Sequence, residues 1–175
     1  MWIFGYGSLM VDGWEKNYDC SRRVIAELHG YRRSFSKASV VNWGTHDSPC
    51  PTLHLESDAN GLCEGVAFEF PDVQGDNVRA YLEDREGKGF IFSSVEAVTK
   101  EVGRVEALVS LYIGKNVLPS STEQALVKSI QQARGTSGTC SSYVIKIYDQ
   151  LAGLGINDPA VTKIREQLRA AGIAG

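Results

Sequence analysis

Two short segments carry residue types that could do chemistry. Phe4-Gly5-Tyr6-Gly7-Ser8-Leu9-Met10 sets glycines and a serine directly after an apolar run. Glycines without side chains allow Gly7, Ser8 and Leu9 to present backbone N–H groups to an anionic or carbonyl ligand. The same glycines equally serve a plain tight turn. A dinucleotide loop needs a third glycine where Met10 stands, and neither Gly-Lys-Ser nor Gly-Lys-Thr occurs to cradle a phosphate. Ser8 has Tyr6 and Met10 two residues either side, where a nucleophile elbow needs glycines. Nothing singles out His29, His46 or His54 as its base.

The second segment is Tyr81-Leu82-Glu83-Asp84-Arg85-Glu86-Gly87-Lys88-Gly89-Phe90. A helix over Asp72–Arg85 crowds Glu83, Asp84 and Glu86 at its C-terminal end. The negative pole of the helix dipole disfavours each acid there by about 0.3–1 kcal/mol. A carboxylate held at such a place and also buried has a raised pKa, which suits a general base. The other reading is a charged surface corner with Arg85 and Lys88 as counterions. The four cysteines, Cys20, Cys50, Cys63 and Cys140, form no Cys-x-x-Cys pair and have no histidine at ligand spacing. Buried thiols in a reducing cytoplasm, with no metal site, are the expectation.

These segments must be positioned by a mixed set of elements. Met1–Tyr6 is a short apolar run ended by glycine, as expected of a buried strand. Val24–Leu28 and Tyr31–Ser39 read as strands around a His29-Gly30 break. Thr52–Glu56 and Val66–Phe70 follow, with Asp58-Ala-Asn-Gly61 between them as a hairpin connection. Pro71 opens the middle helix, and Phe90–Thr99 and Arg104–Ile113 give two further strands.

The last third is helical. Ser120-x-x-Glu123 fits a capping box ahead of Leu126, Val127 and Ile130, with Gly135 as a stop. A second helix is expected over about Cys140–Leu151. Asp158-Pro159 reads as the cap and first residue of a third, with Val161, Ile164 and Leu168 inward and Gly172 closing it. Strands first and helices last, without repeat or linker, predict a single α+β domain over residues 1–175.

Composition supports a globular core: 43% of the 175 residues are hydrophobic and 22% charged, which excludes a disordered chain. The formal charge is −3, and the basic doublets Arg22-Arg23 and Arg32-Arg33 stand apart, so no nucleic-acid face is expected. No apolar run approaches the roughly 20 residues that span a bilayer. Met-Trp-Ile-Phe-Gly-Tyr-Gly lacks the basic start and apolar stretch of a secretory leader, so a cytoplasmic, membrane-free protein is expected.

The ordered set of motifs is more specific than any one of them. Phe-Gly-Tyr-Gly-Ser-Leu at 4–9, Tyr-Leu-Glu-Asp-Arg-Glu-Gly at 81–87, Leu-Tyr-Ile-Gly at 111–114, Ser137-Gly138 and Tyr143 follow one another. Tyr31, Arg33 and Phe35, Pro49-Cys-Pro-Thr-Leu53 and Gly65-Val-Ala67 extend the likeness. In these the chain resembles the ChaC-like gamma-glutamylcyclotransferases over nearly its whole length. The resemblance implies a small, mostly antiparallel barrel-like sheet with flanking helices. It implies cleavage of a gamma-glutamyl amide, glutathione or a relative, into 5-oxoproline and a free amine, with no cofactor and no metal. It makes Glu86 the general acid/base and assigns Tyr6, Gly7, Ser8 and Leu9 to the glutamyl-binding loop, with Tyr143 helping to bind substrate. Glu83, three residues before Glu86 on the same helix face, is the alternative base or a partner behind it. Arg33 is either structural or pairs with a substrate carboxylate. A binding or regulatory protein that keeps the gamma-glutamyl pocket without turnover is the rival reading.

Overall fold

The computed structural model describes residues 1–173. In chain order it contains β1 (Trp2–Gly5), β2 (Arg22–Ser39), β3 (Cys50–Glu69), α1 (Gly75–Glu86), β4 (Phe90–Thr99) and β5 (Gly103–Tyr112). There follow α2 (Glu123–Gln132), the two-residue strands β6 (Arg134–Gly135) and β7 (Gly138–Thr139), α3 (Cys140–Gly153) and α4 (Pro159–Ala170). The residues group into two compact units, one of Met1–Arg32 with Leu55–Lys115, the other of Arg33–His54 with the chain from Asn116 onward. The strands β2 and β3 each contribute residues to both.

The first unit holds the barrel. Its strands close in the order β1-β3-β2-β4-β5, and the circle is completed by β1 running parallel to β5. The pairs β1–β3, β2–β4 and β4–β5 are antiparallel. With helices α1–α4 added, this is the α+β class expected from the element order and the mostly antiparallel barrel that the resemblance implies. Side chains of a strand alternate between faces, and Val105, Ala107 and Val109 of β5 point into the core with Phe4, Leu28 and Leu55. Four alanines, Ala26, Ala67, Ala97 and Ala107, share that interior, which suits a barrel of few strands. Gly65 belongs to the packing as well: a Cβ there would stand 2.7 Å from the Phe4 ring, so glycine makes room for that aromatic side chain.

The expected hairpin at Asp58–Gly61 is not formed; those residues lie inside the continuous β3. Cross-strand contacts outweigh the local turn chemistry here. Arg32 of β2 pairs with Glu56 at 2.7 Å and with Asp58 at 3.2 Å. A Cβ on Gly61 would stand 2.6 Å from the Tyr31 carbonyl oxygen, so that glycine serves close strand approach. Likewise His29-Gly30 does not break β2: Gly30 takes a left-handed φ of +82° within the strand.

The second unit holds the C-terminal helices. α3 buries Cys140, Val144, Ile147 and Leu151, a stripe at helical spacing, and α4 buries Val161, Ile164 and Leu168 as expected. Asp158 caps α4 by accepting from the Ala160 and Val161 N–H groups at 3.0 and 3.1 Å, ahead of the proline. The capping box at Ser120 is a misreading: α2 starts at Glu123, and Thr122 is the cap, accepting from the Ala125 N–H at 3.3 Å. Glu123 instead turns to α4, contacting Lys163 and Gln167. Gly135 is not the stop of α2 but part of β6, where a Cβ would stand 2.4 Å from the Val41 carbonyl oxygen. The thiol expectation also needs correction. Cys50 and Cys140 form a disulfide with Cα atoms 5.5 Å apart, and Cys20 and Cys63 are not disulfide-bonded. The sequence separation of 90 residues gave no hint of it. Among the described residues no helix is long and apolar enough to cross a membrane.

Candidate active site

The glycine loop leaves β1 at Gly5 and closes into a single 3-10 turn over Ser8–Met10. The Met10 N–H donates to the Gly7 carbonyl at 3.0 Å, and Val11 to Ser8 at 3.3 Å. Leu9 and Met10 are buried, Tyr6 and Gly7 half-buried, and Ser8 exposed. As opening residues of a helical turn, Ser8 and Leu9 have N–H groups that no carbonyl of the turn can accept.

The loop's carbonyls are held from behind. The Trp14 indole N–H donates to the Leu9 oxygen at 3.0 Å in a buried bond, and Arg23 donates to the Met10 oxygen at 2.8 Å. Trp14 in turn meets Phe68 edge-on at 5.5 Å and stacks on Tyr81 of α1 at 5.4 Å with the rings 11° from parallel. One indole thus links the loop to the helix.

Glu86 is the last residue of α1, within one residue of the end expected from sequence. Gly87 leaves the helix at φ +72°, a left-handed conformation, with its N–H donating to the Glu83 carbonyl at 3.0 Å. The side chain of Glu86 is 23% exposed. Glu83, one turn back, is exposed.

Arg85 joins the two segments. Its guanidinium donates to the Tyr81 hydroxyl at 3.0 Å, one turn back on α1, and to Ser8 Oγ at 3.2 Å, and it pairs with the Asp12 carboxylate. Its Nε lies 3.9 Å from Glu86 Oε1. Burial works against the guanidinium charge, but the hydrogen bonds with Tyr81 and Asp12 prevail and raise its pKa. The cation is therefore permanent at any working pH. By contrast, burial pushes the Cys20 thiol up from its usual range, which makes it a poor nucleophile.

Tyr6, Gly7, Ser8, Leu9, Glu83 and Glu86 all belong to the first unit. The loop and the helix end meet through Arg85. Tyr143 belongs to the second unit, where its hydroxyl accepts from the Leu53 N–H at 3.0 Å and its ring lies 5.4 Å from that of Trp43. Arg33 is buried in the same unit and pairs with Asp158 at 2.9 Å, a structural role. Sequence reasoning missed Asp12 and Trp14, and treated Arg85 only as a counterion. The spacing of Tyr81 and Arg85, four residues apart on one helix face, was the signal that was there to be used.

Comparison with known proteins agrees with the motif order. Gamma-glutamylcyclotransferase 2-3 of Arabidopsis thaliana is 30% identical over 97% of this chain and 88% of its own length. Glutathione-specific gamma-glutamylcyclotransferase 1 of Danio rerio is 27% identical over 97% of this chain and 89% of its own. A crystal structure of a yeast gamma-glutamyl cyclotransferase specific to glutathione superposes with a TM-score of 0.78 at 23% identity, over 97% of this chain and 96% of that one, and so shares the fold. The family described as ChaC-like protein matches residues 1–171, and the chain belongs to it.

Proposed function

We propose that this protein is a gamma-glutamylcyclotransferase that converts glutathione, or a closely related gamma-glutamyl amide, into 5-oxoproline and a free amine, cysteinylglycine in the case of glutathione. The observation that carries the reading is the half-buried Glu86 carboxylate beside Arg85, the residue that bonds to Ser8 of the glycine loop. Membership of the ChaC-like family, and the names of the relatives above, support it.

The reaction balances within the substrate. The α-amine attacks the γ-carbonyl, a five-membered lactam closes, and the γ-amide C–N bond breaks. An α-ammonium, with a pKa of about 8, first loses one proton to solvent to give the attacking amine. That nitrogen loses a second proton as the lactam closes, and Glu86 takes it and gives it to the leaving nitrogen, a contribution of roughly 10²–10⁴-fold. The backbone donors of Tyr6, Gly7, Ser8 and Leu9 hold the glutamyl carboxylate or the developing oxyanion. Tyr143 contributes to substrate binding, and Glu83, one turn back on α1, is the alternative base or a partner to Glu86. Holding the glutamyl group folded is much of the task, since well-oriented intramolecular attack reaches effective molarities of about 10⁵–10⁸ M. The setting proposed is the cytoplasm, with a small molecule as the partner.

The test separates cyclisation from hydrolysis. Glutathione is incubated with the protein in water enriched in ¹⁸O, and the products are resolved by mass spectrometry. The proposal requires 5-oxoproline without solvent oxygen. Labelled glutamate as the product would make the protein a hydrolase, and no product from glutathione or from a panel of gamma-glutamyl amines would leave a binding protein.

A further inference from the structure

Arg85 places donors on two elements at once. From one guanidinium it bonds to Tyr81 on its own helix and to Ser8 and Asp12 on the loop after β1. A guanidinium is planar and its five N–H directions are fixed, so simultaneous bonds to helix and loop set the spacing between them. At 3.9 Å the contact with Glu86 is a charge pair without a hydrogen bond, whereas Asp12 engages the guanidinium directly. Asp12 therefore anchors the cation next to Glu86. Trp14 braces the same junction from behind, bonded to Leu9 and stacked on Tyr81.

We propose that Arg85, anchored by Asp12, is a positioning residue for the cyclisation: it fixes the distance between the Glu86 carboxylate and the loop that holds the glutamyl group. The inference rests on the assignment of Glu86 as the base. A merely exposed ion pair would contribute little to either stability or rate. A positioning clamp acts on the rate, because a displacement of about 1 Å can cost on the order of 10²-fold.

Steady-state kinetics on glutathione test it, with melting temperatures measured for every variant. Arg85→Met is expected to lower kcat by about 10- to 100-fold while KM stays within about threefold. Arg85→Lys keeps the charge but loses the fork, and is expected to recover only part of the loss. Asp12→Asn costs less, and the double variant Arg85→Met/Asp12→Asn is no slower than Arg85→Met alone, because Asp12 acts through Arg85. Unchanged kcat in Arg85→Met, a loss confined to KM, or losses that multiply in the double variant would each overturn the proposal. If Arg85→Met melts below the assay temperature, Arg85→Lys carries the test: kcat at the wild-type value then overturns it. Glu86→Gln is run alongside. Wild-type turnover there removes the base assignment, whereas an inactive Glu86→Gln beside a fully active Arg85→Met removes the positioning role alone.

Discussion

Glu83 and Glu86 sit one helical turn apart, and their surroundings divide them. Glu83 is exposed, while Glu86 is half-buried next to a permanent cation that belongs to the loop as much as to the helix. We propose the second as the base because its carboxylate lies next to the residue that bonds to the glycine loop. The aromatic that braces this junction is open to a single test. Trp14→Phe keeps the ring contacts with Phe68 and Tyr81 but deletes the indole N–H, leaving the buried Leu9 carbonyl without its donor. The expected cost is about 1–3 kcal/mol of unfolding free energy, read as a lower urea midpoint with the slope unchanged. Glu86 and the loop were picked out as candidates because they lie in contiguous motifs. Asp12 and Trp14 were not, because each becomes meaningful only through a partner about 70 residues away on α1.

At the scale of elements, local signals were reliable where tertiary contacts did not compete with them. The cap Asp158-Pro159 starts α4 where the sequence put it, and β4 runs over the expected Phe90–Thr99. Asp58–Gly61 has equally strong turn chemistry, yet it runs extended inside β3, with Gly61 in close approach to Tyr31. The α2 start moved for a similar reason, Glu123 being drawn to Lys163 and Gln167. The cap of α4 also depends on a buried charge. Arg33 is 1% exposed, and its pair Asp158 holds the first turn of that helix. Arg33→Met removes one charge and leaves the other buried, so a loss of about 3–5 kcal/mol is expected. Urea unfolding followed by circular dichroism checks it, and a midpoint within error of the wild type would show that the pair contributes nothing.

For the molecule as a whole, composition set the class correctly and said little more. A near-average apolar content pointed to a folded chain, and strands followed by amphipathic helices pointed to the α+β class. Closure of the barrel was not readable from those patterns, since it depends on the parallel pairing of β1 with β5, elements about 100 residues apart. The Cys50–Cys140 link was hidden for the same reason. The central claim, that one carboxylate moves the proton for a cyclisation internal to the substrate, is tested most directly by Glu86→Gln. Purified wild type and variant are given glutathione, and 5-oxoproline is quantified by mass spectrometry. The account predicts 5-oxoproline from the wild type and a rate lower by about 10²–10⁴-fold from the variant at unchanged melting temperature. Equal rates from the two proteins would contradict it.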